Sequence, residues 1–206
     1  MIKKKKNFKF IQLKEINTNE TRQIVKLILK ENPEALLASL NYKNISTFLN
    51  NVANSKNLIL FVLKKKETII AYAVIAKQIN FLTSIFSNMK MNIFLDLLIK
   101  FNFIKIINMF LSYFELDTLF LSNRNKIIIN KNYNLNLLAV KKNFQSKGIG
   151  SYFLKKIFKK IKSKFITVEA IDYKAYNFYS KKLNFIYVGE KFRIKKNLKI
   201  LFKKLI

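Results

Sequence analysis

Two of the three glycines in this chain lie two residues apart, at Gly148 and Gly150. The mostly apolar run Leu135 to Val140 before them predicts a β-strand. The residues that follow place apolar side chains on one face and lysines on the other, which predicts a helix from Ser151 to Lys162. A second apolar run, Phe165 to Ala170, predicts another strand. Strand, glycine turn, helix and strand in this order predict a βαβ unit with a right-handed crossover.

The glycine turn is a candidate anion site. Glycine reaches backbone angles closed to other residues and lets a ligand approach the main chain closely. The first N–H groups of a helix and its positive dipole end attract phosphate, and Lys147 adds positive charge. The P-loop pattern is absent, and Phe153 stands where a dinucleotide fingerprint needs a third glycine. A plain tight turn between strand and helix remains the alternative.

The wider sequence around this turn resembles that of a known family. Gln145 to Gly150 matches a Gln/Arg-x-x-Gly-x-Gly/Ala pattern that follows an apolar Leu138-Ala139-Val140 run. A later strand and helix match at Val168, Asp172, Ala175, Tyr179 and Asn184-Phe185. Over about residues 133 to 190 these motifs resemble the GNAT family of N-acetyltransferases.

The sequence departs from the GNAT pattern at three points. Asp172 stands where the family usually has Asn, and Asn184 stands where it usually has Gly. The spacing from Tyr179 to Phe185 is one residue longer than usual.

The resemblance implies an α/β fold with a mixed, mostly antiparallel twisted sheet flanked by helices. It implies one domain over residues 1–206, with a helical insertion at about 81–132. It also implies acetyl-CoA as the co-substrate and no metal. The cofactor-binding residues that it implies are Leu138, Ala139, Val140, Gln145, Ser146, Lys147, Gly148, Ile149, Gly150, Ser151 and Asp172.

The resemblance also gives Tyr179 a catalytic role, as the group that protonates the leaving sulfur or holds it by a hydrogen bond. The alternative is that Tyr179 has only a structural role, as an aromatic side chain that packs on the sheet. Tyr176 is the competing acid, because it lies about 60° from Tyr179 around a helix. Glu169 and Glu190 are the candidate general bases. Either could instead form a salt bridge with nearby lysines, and water could take the proton from the amine.

The chain contains no cysteine and no histidine. Disulfides, thiolate nucleophiles, Ser-His-Asp triads and nearly all zinc sites are therefore excluded. Acetyl transfer by direct attack of an amine on a thioester is compatible with both absences, because it needs no nucleophile from the enzyme.

The net charge of +29 is typical of proteins that bind nucleic acid or an anionic membrane. Only three of the 40 basic residues are arginines, and the lysines are spread along the whole chain. Selected phosphate contacts tend to use arginine, so this pattern favours the codon bias of an AT-rich bacterial genome over polyanion binding.

The first half of the chain predicts elements that a GNAT fold would have. Basic residues 1–6 are followed by an alternating strand from Phe8 to Leu13, so a signal peptide is not expected and the cytoplasm is the predicted location. Thr18 or Asn19 is predicted to cap a helix, and Pro33 to start a second helix that runs toward Leu49. Further predicted strands are Leu58–Leu63, Thr68–Lys77, Phe185–Ile194 and Lys199–Ile206.

The segment from residue 92 to residue 114 is long and apolar, but Asp96, Lys100 and Lys105 interrupt it. Charges at mid-membrane are costly, which argues against a transmembrane helix. Two helices that form a lid or a dimer interface are the favoured interpretation. A helix lying on a membrane surface is the alternative.

These observations predict an N-acetyltransferase that moves an acetyl group from acetyl-CoA to an amine acceptor of unknown class, by direct attack in a ternary complex. The alternative is a catalytically weak or inactive GNAT-fold binding module that works through its basic surface. A homodimer is compatible with the sequence, and peripheral membrane or nucleic-acid contact is not favoured.

Overall fold

The computed structural model describes residues 7–77, 89–114, 116–119, 121–122, 125, 132–161 and 163–205. Its helices and strands, in chain order, are β1 (Phe8–Leu13), α1 (Thr18–Glu31), α2 (Tyr42–Asn54), β2 (Leu58–Lys65), β3 (Thr68–Ala76), α3 (Lys90–Ile99), α4 (Phe103–Tyr113), β4 (Tyr133–Val140), α5 (Ile149–Lys160), β5 (Phe165–Ala170), α6 (Tyr173–Leu183), β6 (Ile186–Lys191) and β7 (Leu198–Lys204). The strands form one mixed sheet in the order β1-β2-β3-β4-β5-β7-β6. It is mostly antiparallel and flanked by helices, as the sequence predicted.

The chain divides into two compact units. One comprises Met1–Ile75 and Leu137–Lys162, and the other comprises Ala76–Asn136 and Ser163–Ile206. The single domain with a helical insertion at about 81–132 stays a prediction. Residues 81–88, 115, 120, 123–124 and 126–131 of that segment lie outside the described residues, as do the basic residues 1–6. The described part of the segment contains α3 and α4.

In the first unit, β1 pairs antiparallel with β2, from Phe8 against Lys65 to Leu13 against Leu60. The large side chains of α1, α2, β2 and β3 fill its core, including the fully buried Ile28, Phe48, Phe61 and Ile70. Aromatic contacts attach α5 to β1. The Phe10 ring lies 5.9 Å from the Phe153 ring, centroid to centroid, and it stacks on Phe61 at 5.3 Å. The helix that follows the glycine turn is therefore fixed by its apolar face.

In the second unit, β5 pairs antiparallel with β7, and β7 pairs antiparallel with β6. The parallel pairing of β4 with β5 confirms the predicted βαβ unit. The buried side chains of Asn134 and Thr167 join these two strands, since Asn134 Nδ2 donates to Thr167 Oγ1 at 3.0 Å. A buried polar pair that satisfies itself in this way fixes one register of the strands.

Gly189, the third glycine, lies at an irregularity in the pairing of β6 with β7. Its φ is 152°, and a Cβ added there would lie 2.6 Å from Leu121 Cδ2. Glycine suits this position because L side chains rarely adopt this φ, and a Cβ atom would also displace the end of the Leu121 side chain.

Two predictions about the first helices were wrong. The N-cap of α1 is Asn17, whose side chain accepts from Glu20 N at 2.9 Å while Glu20 bonds back to Asn17 N. This capping box starts the helix before either predicted cap. Pro33 starts no α-helix, because the chain makes a short 3-10 helix at Leu36–Ser39 and α2 begins only after Asn41, which caps it at Asn44 N.

Among the described residues, α3 and α4 lie in the long apolar segment, and they are separate helices of 10 and 11 residues. No described helix is both long enough and apolar enough to cross a membrane.

Candidate functional site

A glycine turn lies between β4 and α5, as the sequence predicted, but α5 begins at Ile149 and ends at Lys160, so Gly150 lies within the helix and the predicted bounds Ser151–Lys162 were wrong. A 3-10 helix at Lys142–Phe144 follows β4, and Gly148 is the N-cap of α5 with φ 73° and ψ 7°. Ser146 also has a positive φ, at 58°. Left-handed residues that alternate with ordinary ones turn successive N–H groups to one side, as in anion-binding nests.

The start of α5 offers N–H groups to a ligand. Among the described residues no side chain caps this helix. The backbone hydrogen bond from Tyr152 N to Gly148 O, at 3.0 Å, closes its first turn. Gly148 is exposed, whereas Gly150 and Ser151 are half-buried and Ile149 is buried beneath the turn. Uncapped N–H groups beside the positive end of a helix are suited to phosphate.

Gln145 and the carboxylate of Glu31 hold the turn in place. Gln145 Nε2 donates to Val140 O at 2.7 Å and to Glu31 Oε2 at 3.0 Å. The other carboxylate oxygen, Glu31 Oε1, accepts from Lys142 N at 3.0 Å. Hydrogen bonds to a charged group are the stronger kind, so the end of α1 fixes both the start and the middle of the turn.

Asn32, the C-cap of α1, holds β4 itself. Asn32 Nδ2 donates to Leu138 O at 3.3 Å and to the hydroxyl of the buried Tyr72 at 3.4 Å. Burial raises the pKa of the Tyr72 phenol far above its usual range, although the bond from Asn32 opposes this shift. Asn32 therefore fixes the position of β4 at the main chain of Leu138.

The pairing between β4 and β5 is short. It runs from Tyr133 against Ile166 to Leu135 against Val168 and stops there. Asn136 to Val140 therefore extend beyond the last residue pair. On the edge away from β3, this segment presents main-chain donors and acceptors that an amide-bearing ligand can use.

Asp172 and Asn184, two of the departures from the GNAT pattern, lie at the two ends of α6. Asp172 is its N-cap, and its carboxylate accepts from Ala175 N at 2.6 Å. Asn184 is left-handed, with φ 57° and ψ 45°, while Phe185 N donates to Tyr179 O at 3.1 Å. Asp caps a helix as well as Asn does, and Asn replaces Gly in a left-handed C-terminal position. Both residues therefore perform an ordinary capping function.

Tyr179 lies on α6 and is buried, with its ring 5.5 Å from Phe185 and 5.2 Å from Phe178. Burial raises the pKa of its phenol well above the usual range, and the charge of Asp172 raises it further. No hydrogen bond of its hydroxyl is recorded with the described residues. The phenol is thus protonated at neutral pH and able to donate.

Tyr176, the competing acid, has a different environment. Its ring stacks on Tyr173 at 6.2 Å and meets Tyr187 edge-on at 6.4 Å. Lys199 Nζ lies 4.9 Å from the ring centroid, in a cation–π contact. These contacts all use the ring and not the hydroxyl, so the structure explains this residue through packing alone.

Glu169 forms an ion pair. Its Oε1 lies 2.7 Å from Lys191 Nζ, and Lys191 is buried. Burial alone would raise the pKa of this carboxyl, but the charge and hydrogen bond of Lys191, helped by Arg193, hold it below the usual value. A carboxylate with a lowered pKa is a weak base, so the contacts favour the salt bridge that the sequence left open. Glu190 accepts from Asn197 Nδ2 at 3.2 Å.

The predicted site residues belong to both compact units. Leu138, Ala139, Val140 and the turn from Gln145 to Ser151 share the first unit, whereas Asp172, Tyr179 and Glu169 lie in the second. Sequence reasoning missed Glu31 and Asn32, which fasten the turn and β4.

Two buried amide oxygens were also missed. Among the described residues, Asn136 Oδ1 on β4 and Asn177 Oδ1 on α6 have no hydrogen-bond partner. A buried acceptor without a donor costs about 1–3 kcal/mol, so a ligand N–H is a reasonable partner for each. The sequence marks Asn136 only as a polar residue inside an apolar strand.

Comparisons with solved structures agree with the fold. An acetyltransferase from Thermus thermophilus superposes with a TM-score of 0.59 at 10% identity, covering 95% of this chain and 97% of that chain. A Desulfovibrio desulfuricans protein described as a GNAT-family acetyltransferase gives 0.57 at 9%, covering 97% and 99%. The polyamine N-acetyltransferase of Drosophila melanogaster gives 0.58 at 13%, covering 96% and 100%.

No protein-family model matches the sequence, and no curated protein is significantly similar to it. At these identities the comparisons show the fold. This chain therefore has the fold of the GNAT acetyltransferases, as its motifs predicted.

Proposed function

We propose that this protein is an acetyl-CoA-dependent N-acetyltransferase that transfers an acetyl group to an amine acceptor by direct attack in a ternary complex. The observation that carries the proposal is the turn from Gln145 to Gly150. In a GNAT fold, this turn presents a left-handed Gly148 and an uncapped helix start after β4 and the short 3-10 helix that follows it.

The residues present fit acetyl-CoA. The uncapped N–H groups at the start of α5 suit the pyrophosphate, and the exposed Lys142 and Lys147 add positive charge. Lys147 Nζ already donates to Asn143 O at 2.9 Å, which holds its ammonium at the turn. The pantetheine arm contains amides, which match the main-chain groups of β4 beyond Leu135 and the free acceptor of Asn136.

Bound acetyl-CoA supplies a thioester carbonyl, which the acceptor amine attacks directly. Main-chain N–H groups of β4 would stabilise the negative charge that develops on this carbonyl oxygen. The Tyr179 hydroxyl would stabilise the leaving sulfur. A thiol has a pKa near 8.5, far below that of the buried Tyr179, so complete proton transfer to the sulfur is uphill. A hydrogen bond from the phenol is therefore the better-supported of its two roles.

The acceptor amine must lose a proton. The ion pair with Lys191 makes Glu169 a weak base, so we propose that it stabilises the fold and that water takes the proton. We propose that the chain forms one catalytic domain located in the cytoplasm, with residues at about 81–132 as a helical insertion.

Thiol release from acetyl-CoA, measured across a panel of amines, peptides and amino sugars, tests this function. At least one acceptor should release thiol and gain an acetyl group by mass spectrometry. Tyr179→Phe removes only the hydroxyl and should lower kcat about 10²- to 10³-fold, the cost of losing one hydrogen-bond donor, with little change in CoA affinity.

Tyr176→Phe is the matched control, because it keeps every ring contact, and it should keep its turnover. Loss of turnover in Tyr176→Phe alone would give that residue the role of acid. CoA binding without turnover of any acceptor would favour the alternative, an inactive binding module.

A further inference from the structure

A cavity of about 360 Å³ lies in the second compact unit, beside the edge strand β6. Its described lining comes from β6, from the turn between β6 and β7, and from residues 121, 122 and 125 of the segment before β4. Ligand sites in proteins commonly measure about 300–1,000 Å³, so this cavity suits a small ligand. None of the residues that are proposed to bind acetyl-CoA is among the lining residues.

The walls of the cavity are held by contacts within this unit. Val188 packs against the buried cluster that contains Leu121, and Asn125 Nδ2 donates to Val188 O. Phe192 N donates to the main-chain oxygen of the buried Asp117 at 2.8 Å, which fixes the start of the turn after β6. The cavity is therefore formed before any ligand binds.

The lining of the cavity carries negative charge. Among its described residues Glu190 is the one carboxylate, and there is no lysine or arginine, in a chain with 40 basic and 11 acidic residues. The Tyr187 hydroxyl hydrogen-bonds this carboxylate, and Asn197 Nδ2 donates to it at 3.2 Å. Partial burial, the charge of Glu190 and this hydrogen bond raise the pKa of Tyr187, which keeps the phenol protonated as a donor. Both partners are neutral, so they orient the carboxylate without compensating its charge.

The basic residues that lie close to Glu190 in the sequence or in the strand pairing contact other groups. These are Lys191 on Glu169, Arg193 on Asp117 and Lys199 over the Tyr176 ring. Lys195 and Lys196 are exposed in the turn and do not line the cavity. At physiological ionic strength, exposed charges more than about 8 Å apart are largely screened, so the carboxylate inside the cavity decides which charge it favours.

Two aromatic side chains complete the lining. Tyr187 and Phe192 are 46% and 42% exposed, and the Tyr187 ring meets Tyr176 edge-on at 6.4 Å. The face of an aromatic ring attracts a cation, and a carboxylate accepts the N–H groups of an ammonium. An anion would meet no positive side chain among the described lining residues. We propose that this cavity binds an ammonium group of a small aliphatic amine, with Glu190 as its ion-pair partner.

The proposal narrows the class of acceptor, and in this respect it rests on the proposed function. An ammonium that is bound to Glu190 keeps its proton and has no lone pair with which to attack a thioester. The acceptor is therefore a diamine, of which one nitrogen is bound in the cavity and the other attacks as the free amine. The N–C bond forms, the C–S bond breaks, water takes the proton that the second nitrogen loses, and CoA leaves as its thiolate.

Titration calorimetry of the full chain with 1,4-diaminobutane, without CoA, tests the cavity. The diamine should bind saturably, and 1,4-butanediol, which has the same length and no charge, should not bind. Glu190→Gln should weaken binding at least tenfold, because it removes a charged hydrogen bond. Phe192→Leu should weaken it roughly 2- to 5-fold through the loss of a cation–π contact.

Glu67→Gln is the matched control. It changes the net charge by the same amount at an exposed carboxylate in the turn between β2 and β3, and it should bind the diamine as the wild type does. Circular dichroism of each variant checks the fold.

Thiol release from acetyl-CoA tests the narrower acceptor class. With 1,4-diaminobutane, Glu190→Gln should raise KM at least tenfold and leave kcat nearly unchanged. 1-Aminobutane, which has one nitrogen on the same carbon chain, should release thiol more slowly than the diamine at the same concentration, and Glu190→Gln should not slow it further.

The outcomes separate this proposal from the proposed function. Absence of saturable diamine binding, or binding that Glu67→Gln weakens as much as Glu190→Gln does, overturns the cavity as an ammonium site. A fall in kcat with both amines in Glu190→Gln gives this residue the role of general base and also overturns it. Diamine binding that depends on Glu190, with thiol release only from other acceptors, overturns the diamine as acceptor and leaves the binding site. Such binding with no thiol release from any acceptor contradicts the proposed function instead.

Discussion

Replacement of Gly148 by alanine tests the conformation of the glycine turn. The residue has φ 73° and ψ 7°, in the left-handed region, where a Cβ costs roughly 1–2 kcal/mol. Gly148→Asn is the matched control, because asparagine tolerates this region, as Asn184 does in the same chain at φ 57°. Both variants restrict the unfolded chain, so the entropy that glycine loses on folding largely cancels between them.

The cost of the Ala variant divides between stability and binding. If the free turn keeps its conformation, the whole penalty lowers the free energy of unfolding and CoA affinity is unchanged. If the free turn relaxes, CoA must restore it, and the penalty lowers the affinity. The two losses of Gly148→Ala relative to Gly148→Asn should therefore sum to about 1 kcal/mol, and 1.4 kcal/mol corresponds to about tenfold in Kd.

The two losses are measured separately. Chemical denaturation gives the free energy of unfolding of each variant, and titration calorimetry with CoA gives each Kd. Equal unfolding free energies and equal Kd values for the two variants would refute the reasoning, because a left-handed Gly148 cannot be replaced by alanine without cost.

Two further substitutions test the second compact unit. Glu169→Gln leaves the buried Lys191 without its ion-pair partner and should lower the free energy of unfolding by about 1–3 kcal/mol at pH 7. Because the pKa of Glu169 is lowered in the folded state, this contribution is present above the unfolded carboxyl pKa of about 4.3 and is lost as the pH falls through the folded value. Denaturation at a series of pH values should show the difference shrinking in acid, and a constant difference would contradict the ion pair. Asn184→Ala should lower the free energy of unfolding by about 1 kcal/mol while Asn184→Gly stays within a few tenths of the wild type, and equal effects in thermal denaturation would argue against the left-handed cap.

The parts of the fold that the sequence predicted well are those with local causes. The strand Phe165–Ala170 has the bounds that its own apolar residues predicted, and the bounds of α6 are set by the caps Asp172 and Asn184 directly beside it. The position of Gly148 before α5 could likewise be predicted from the sequence, since few residues other than glycine adopt its left-handed backbone angles. The capping box of Asn17 and Glu20 could also have been predicted from the sequence, but the predicted caps were Thr18 or Asn19.

Other features depend on contacts between residues that are distant in the sequence. Glu31 reaches Gln145 across 114 residues, and Asn32 reaches Leu138 across 106. Nothing near these α1 residues indicates that they hold a turn late in the chain. The orientation of α4 is similar, because the apolar pattern shows an amphipathic helix but the bonds of Asn108 to the β6–β7 turn decide which face is buried.

Hydrogen–deuterium exchange with and without CoA tests the central claim most directly. The backbone N–H groups from Ser146 to Ser151 should exchange more slowly when CoA is bound, because the uncapped start of α5 then donates to phosphate. Buried helices of the same unit, such as α2, should be unchanged and serve as the internal reference. Binding of CoA that leaves exchange at Ser146 to Ser151 unaltered, or no binding of CoA, would contradict the account.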